Sequence, residues 1–203
     1  CGAVGAGPGL RVSAELVVAA AYVSGVTQAT YEATPPNRLI DEMLLPALRD
    51  PLVRGRFESL MVDITGGPRA FGLEGFRQEE STNWDRARQL LAFGAVPPVD
   101  EPYRTSKLSG IDGATFNRDA IVLRSNATAL EVLAKGTEVD GQLKMPLVTL
   151  HTTGDGQVPV DQARILRQQV DRAGRSSLLV TRVIEDKGHC GFTTEEQEAA
   201  FAG

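Results

Sequence analysis

Pro146-Leu-Val-Thr-Leu-His151, running on through Thr152-Thr-Gly-Asp-Gly-Gln-Val-Pro159, decides the fold of this 203-residue chain. The first six residues form a continuous β-rich run of the kind expected for a strand buried on both faces. Thr153-Gly-Asp-Gly156 is a turn. Asp161 is placed to cap a helix in which Ala163, Leu166, Val170 and Ala173 share one face, and Gly174 is its stop. Leu178 to Ile184 is a second strand of the buried type, and Glu185 to Gly188 turns the chain. Thr193 with Glu196 makes a capping box for a final helix. Strand, helix, strand at this spacing is a βαβ unit, with parallel strands and a right-handed crossover.

Outward from that unit the pattern changes. Cys1 to Gly9 is glycine-rich and reads as a strand end or tight turn, and Arg11 to Val23 reads as a helix closed by Gly25. Between residues 27 and 140 helical apolar spacing recurs over Leu39 to Leu48, Val53 to Ile64, Arg86 to Phe93 and Asn117 to Lys135. Gly66-Gly67-Pro68, Pro97-Pro98 and Asp112-Gly113 punctuate it, and no strong strand intervenes. A helical insert of this length between two sheet strands suggests a separate lid. The expected class is therefore α/β, with residues 1–26 and 141–203 as a partial core and 27–140 as the insert.

Only two histidines are available as a general base. His189 follows the second strand and Asp155 follows the first. Adjacent parallel strands bring both loops to the carboxyl edge of a sheet, where ligand sites form. Acid precedes base by 34 residues (189 − 155), as in a Ser, acid, His triad. In that pairing Asp155 fixes the tautomer of His189 and stabilises its imidazolium. The plainer alternatives are a Gly-Asp-Gly turn residue for Asp155 and a capping histidine for His189. His151, at the end of the first strand, is the competing base, or else a hydrogen-bonding partner within the acid loop.

These segments resemble serine α/β-hydrolases. Pro146 to Val160 looks like their acid strand and loop, and Gly188-His-Cys-Gly-Phe-Thr193 like their histidine loop. Cys1-Gly-Ala-Val-Gly5 resembles the strand end after the nucleophile helix in bacterial esterase-like members. The resemblance implies a C-terminal part of such a sheet, an upstream Gly-x-Ser-x-Gly elbow, a helical lid, and hydrolysis of a small-molecule ester or other acyl substrate through an acyl-enzyme. No Gly-x-Ser-x-Gly occurs in these residues; Ser24 and Ser109 lack the elbow's strand–turn–helix context. Nucleophile and oxyanion hole would then lie upstream, and the open sheet edge would pair with that missing part or with a second copy. Substrate-binding residues are not assignable, though Trp84, Tyr103 and Phe116 are either pocket or plain core. The resemblance also suggests a Cys1–Cys190 disulfide holding the histidine loop. Such a bridge would close about 190 residues and contribute on the order of 4–5 kcal/mol; the alternative is two buried thiols.

Two other classes stay open: an N-terminal-nucleophile amidohydrolase built on Cys1, and a non-catalytic interaction protein, lipid-anchored through Cys1. Cys1-Gly2 would suit a processed lipoprotein, the alternative being an arbitrary start inside a longer protein; two cysteines permit one disulfide without fixing the compartment, and a secreted or cell-envelope location is favoured over a cytoplasmic one. The net charge of −5 with no dense basic cluster argues against nucleic acid. Leu16 to Val23, the longest apolar run, is too short to span a bilayer. No metal-ligand spacing or phosphate loop appears, so no cofactor is expected.

Overall fold

The computed structural model describes residues 7–65, 70–94, 109–129, 131–132 and 139–202. They form a mixed α/β structure in which a helical body packs against a two-stranded parallel sheet.

Helix α1 (Gly7–Val23) is buried almost all round: Leu16, Val17, Ala19, Ala20 and Ala21 are wholly enclosed. A helix apolar on every side has to sit inside a helical layer. It starts at Gly7, earlier than the glycine-rich turn expected there, and ends as expected at Gly25, whose φ is +71°. Helices α2 (Gln28–Ala33) and α3 (Pro36–Arg38) follow, then a π-helical turn (Leu39–Leu44) and α4 (Leu45–Ala47). Leu39, Ile40 and Leu44 from the π turn enter the core.

Helix α5 (Pro51–Ile64) begins with Asp50 as cap, whose carboxylate accepts from the backbone N–H of Leu52 at 2.8 Å, and Pro51 in the first turn. Helix α6 (Gly72–Phe93) lies against α1 and α5 and stops at Gly94. Phe57 of α5 stands edge-on to Phe76 of α6 at 5.8 Å and stacks on Trp84 at 6.4 Å. Beside these rings, Glu58 accepts from Arg54 at 2.9 Å and from Arg77 at 2.8 Å, Arg54 also pairs with Glu80, and Glu80 accepts from the Trp84 indole at 3.0 Å.

Helix α7 (Gly113–Asp119) is capped by Asp112 and stops at Ala120. The helix expected over Asn117 to Lys135 is thus broken after Asp119, and residues 127–129 and 131–132 are helical again. Ile121 is buried, and the backbone of Val122 is held by Gln28, which accepts from its N–H at 2.7 Å and donates to its carbonyl at 3.1 Å. A tertiary side-chain partner takes the backbone groups that a continuing helix would have used.

Strand β1 (Leu147–Gly154) pairs in parallel with β2 (Leu179–Lys187), from Leu147 opposite Leu179 to Thr152 opposite Ile184, with an irregularity between Thr152 and Gly154. The crossover helix α8 (Asp161–Arg172) buries Leu166 and Val170 against Leu179. Asp161 is its first residue and not its cap; Val160 precedes it without a side-chain cap. The strands are not enclosed on both faces as their apolar runs suggest: Val180 and Val183, on opposite faces of β2, remain exposed, and among the described residues no further strand flanks the pair. Helix α9 (Thr194–Ala202) starts from the expected capping box, Glu196 N–H to Thr193 Oγ1 at 3.1 Å and Thr193 N–H to Glu196 Oε2 at 2.9 Å. Among the described residues no helix is long and apolar enough to cross a membrane.

The Arg77 and Arg54 guanidiniums, Arg77 first, hold the Glu58 carboxyl below the usual carboxylate range. A depressed folded value gives stability that is complete above the unfolded value of about 4.3 and is lost as pH falls through the folded one. Glu58→Gln is expected to cost about 1–3 kcal/mol at neutral pH and to flatten the acid limb of a plot of thermal midpoint against pH. A variant with the wild-type acid limb would contradict this role.

Candidate active site

Strand β1 ends at Gly154, and the next residue carries the acid. Asp155 is buried, with 3% of its surface exposed. One carboxylate oxygen, Oδ1, accepts from the backbone N–H groups of Gln157 at 2.8 Å and Val158 at 2.9 Å. That is the Asx turn its Gly-Asp-Gly context suggests. The second oxygen, Oδ2, lies 2.7 Å from Nδ1 of His189. The turn bonds and the contact with His189 therefore do not compete, because each uses a different oxygen. A carboxylate that accepts at this contact requires the proton on Nδ1, and in the neutral ring that leaves Nε2 with its lone pair.

The histidine loop follows β2. Gly188 has φ +89° and Cys190 φ +59°, and the left-handed turn they make lifts His189 toward the acid. Thr152 of β1, itself buried, donates from Oγ1 to the Gly188 carbonyl at 2.6 Å, joining the two strand ends. His151 donates from Nδ1 to the carbonyl of Thr152 at 2.8 Å, within its own strand. A cavity of about 120 Å³ opens at this edge, with His151, Asp155 and His189 on one part of its wall and Leu150, Leu166 and Phe192 among its apolar lining. Among the described residues no serine lines it; Ser109 is engaged with Asp63 at 2.6 Å. Trp84 and Phe116 are core residues; Tyr103 and Cys1 lie outside the described residues. Cys190 carries no free thiol.

Over 66 residues the chain is 30% identical to an o-phthalyl amidase of Xanthobacter agilis. The match takes in 32% of this chain and only 15% of that protein's length. No family model matches, and no solved structure matches.

The structure adds residues that sequence reasoning missed, all on α6. Gly75, Glu79 and Asn83, one turn apart, form a stripe along the acid loop. A Cβ on Gly75 would collide with the Gly154 carbonyl, and one on Gly156 with the backbone of Gly75. Asn83, fully enclosed, donates to the Gly156 carbonyl at 3.1 Å. Glu79 accepts from the Gln157 side chain and, at 3.2 Å, from the backbone N–H of His189. Glu74 pairs with Lys187, just before the histidine loop. The spacing of 75, 79 and 83 was the available signal, but the residues are small or polar and give no apolar periodicity.

Because helix and loop meet backbone to backbone, Gly75→Ala is expected to destabilise the protein by about 1–3 kcal/mol through overpacking. Thermal denaturation checks this; an unchanged midpoint would mean that α6 does not seat on the acid loop.

Proposed function

We propose that this chain supplies the acid and base of a serine hydrolase, with Asp155 orienting His189 for acyl transfer. The observation that carries the reading is the 2.7 Å contact between a buried carboxylate and an imidazole at the ends of adjacent parallel strands. The partial likeness to an amidase supports a hydrolase in general.

In this reading residues 1–26 and 141–203 are the C-terminal part of an α/β-hydrolase core and 27–140 its helical lid insert. The nucleophilic serine and oxyanion donors come from outside these residues, and Val180 and Val183, exposed on opposite faces of β2, leave apolar surface there for further segments to cover. His189 Nε2 takes the proton from the serine hydroxyl as its oxygen attacks the acyl carbon. The imidazolium, held against Asp155, returns that proton to the leaving group, and water then releases the acyl group by the same path. A Cys1–Cys190 bridge would tether the loop that carries the base; Cys190 with no free thiol is compatible with it.

The bond cleaved is a carboxylic ester in the first reading. A second, an amide, is favoured by the name of the matched protein. A p-nitrophenyl ester and the matching p-nitroanilide, offered to the serine-bearing protein, separate the two. In that protein Asp155→Asn is expected to lower kcat by about four orders of magnitude, as loss of a triad acid does, whereas His151→Gln keeps kcat within a few-fold. An Asp155→Asn enzyme of near wild-type rate would overturn the assignment, and an equal loss in His151→Gln would transfer the base role to His151.

A further inference from the structure

We infer that Glu79 is a positioning residue that locks the acid loop to the histidine loop. The inference rests on the reading of Asp155 and His189 as acid and base.

The two loops are separate turns that follow two different strands. Thr152 joins their bases at the Gly188 carbonyl, one residue short of His189. Glu79 reaches His189 itself from α6. One of its oxygens, Oε1, accepts from the backbone N–H of His189 at 3.2 Å; the other, Oε2, accepts from the Gln157 side chain. Gln157 is buried, and its own backbone N–H makes the Asx bond to Asp155 Oδ1. A single carboxylate thus touches the residue whose backbone holds the acid and the backbone of the base.

A carboxylate suits this place because both incoming groups are donors. It offers two acceptor oxygens and no hydrogen, so both contacts form without competition. Its helix is fixed independently, by the close approach of Gly75 to Gly154 and Gly156 and by Asn83 on the Gly156 carbonyl. Also from α6, Gln78 lies where any side chain at position 188 would go, and Glu74 holds Lys187. Helix α6 therefore presents a rigid edge to both loops, and Glu79 is the group on it that contacts both.

The 203-residue chain tests this without substrate. Two signals are read by NMR: the low-field Nδ1–H resonance of His189, and the hydrogen exchange of its backbone amide. Glu79→Ala is expected to abolish the low-field resonance and to speed exchange of the His189 amide at least about tenfold, while the amides of β1 and β2 keep their protection. Glu79→Gln, of the same reach but with one acceptor oxygen and an NH2 group that faces a donor, can keep only one of the two contacts and is expected to weaken the resonance and speed exchange of the His189 amide less than Glu79→Ala does. Glu79→Asp keeps the charge but is too short to hold both loops; it is expected to behave as the alanine variant does and decides the matter should that variant not fold. A shortened or truncated variant with both signals intact would overturn the inference. So would one that loses strand protection to the same degree, which marks a merely structural role. Asp155→Asn separates the two levels: a wild-type resonance that Asp155→Asn removes but Glu79→Ala does not defeats the positioning role alone. A wild-type protein with no Asp155-dependent resonance defeats the acid–base reading beneath it.

Discussion

Burying the carboxylate of Asp155 is the constraint around which the site is built. A carboxylate taken out of water is tolerated only when hydrogen bonds replace its hydration. Here two backbone N–H groups meet one oxygen and an imidazole N–H meets the other. The first pair comes from the chain's own turn. The imidazole must be delivered from another strand, so the parallel pairing of β1 with β2, the Thr152 contact to Gly188 and the left-handed turn at Gly188 and Cys190 all serve to complete the solvation of one buried acid. Orientation of the base follows from the same bond.

The helical body is coupled to this edge through α6. Its apolar residues, Phe76, Trp84, Ala87 and Leu90, are buried in the helical body, where Phe76 and Trp84 pack on Phe57 of α5. Its polar stripe faces the loops. Glycines at 75 and 156 let the two backbones approach to a distance that any Cβ would forbid. Arg54, Glu58, Arg77 and Glu80 tie α6 to α5 on a further side. A rigid helix fixed on several sides is a better support for these two loops than another loop would be.

What was legible in the sequence was what local chemistry decides. The βαβ order, the stop at Gly174, the capping box of Thr193 and Glu196, and the placement of Asp155 and His189 after successive strands depend on neighbours close in the chain. What was not legible depends on distant partners. The first half of α6 is rich in Gln, Glu, Asn and Arg, so it lacks the apolar period that marks a helix, although its polar side chains find partners in loops more than seventy residues away. The helix expected across residue 120 is interrupted because Gln28 claims the backbone of Val122. The β-branched runs of β1 and β2 suggested two covered faces, but Val180 and Val183 are exposed.

The protonation of His189 tests the central claim most directly. With Asp155 accepting at Nδ1, the neutral ring must be the Nδ1–H tautomer and Nε2 must be the bare, basic nitrogen. Ring ¹⁵N chemical shifts of the chain at a pH where His189 is neutral distinguish the two nitrogens. A protonated-type Nδ1 with an unprotonated-type Nε2, inverted or averaged in Asp155→Asn, is the predicted result. A His189 that is Nε2-protonated in the wild-type chain would contradict the assignment of Asp155 and His189 as acid and base.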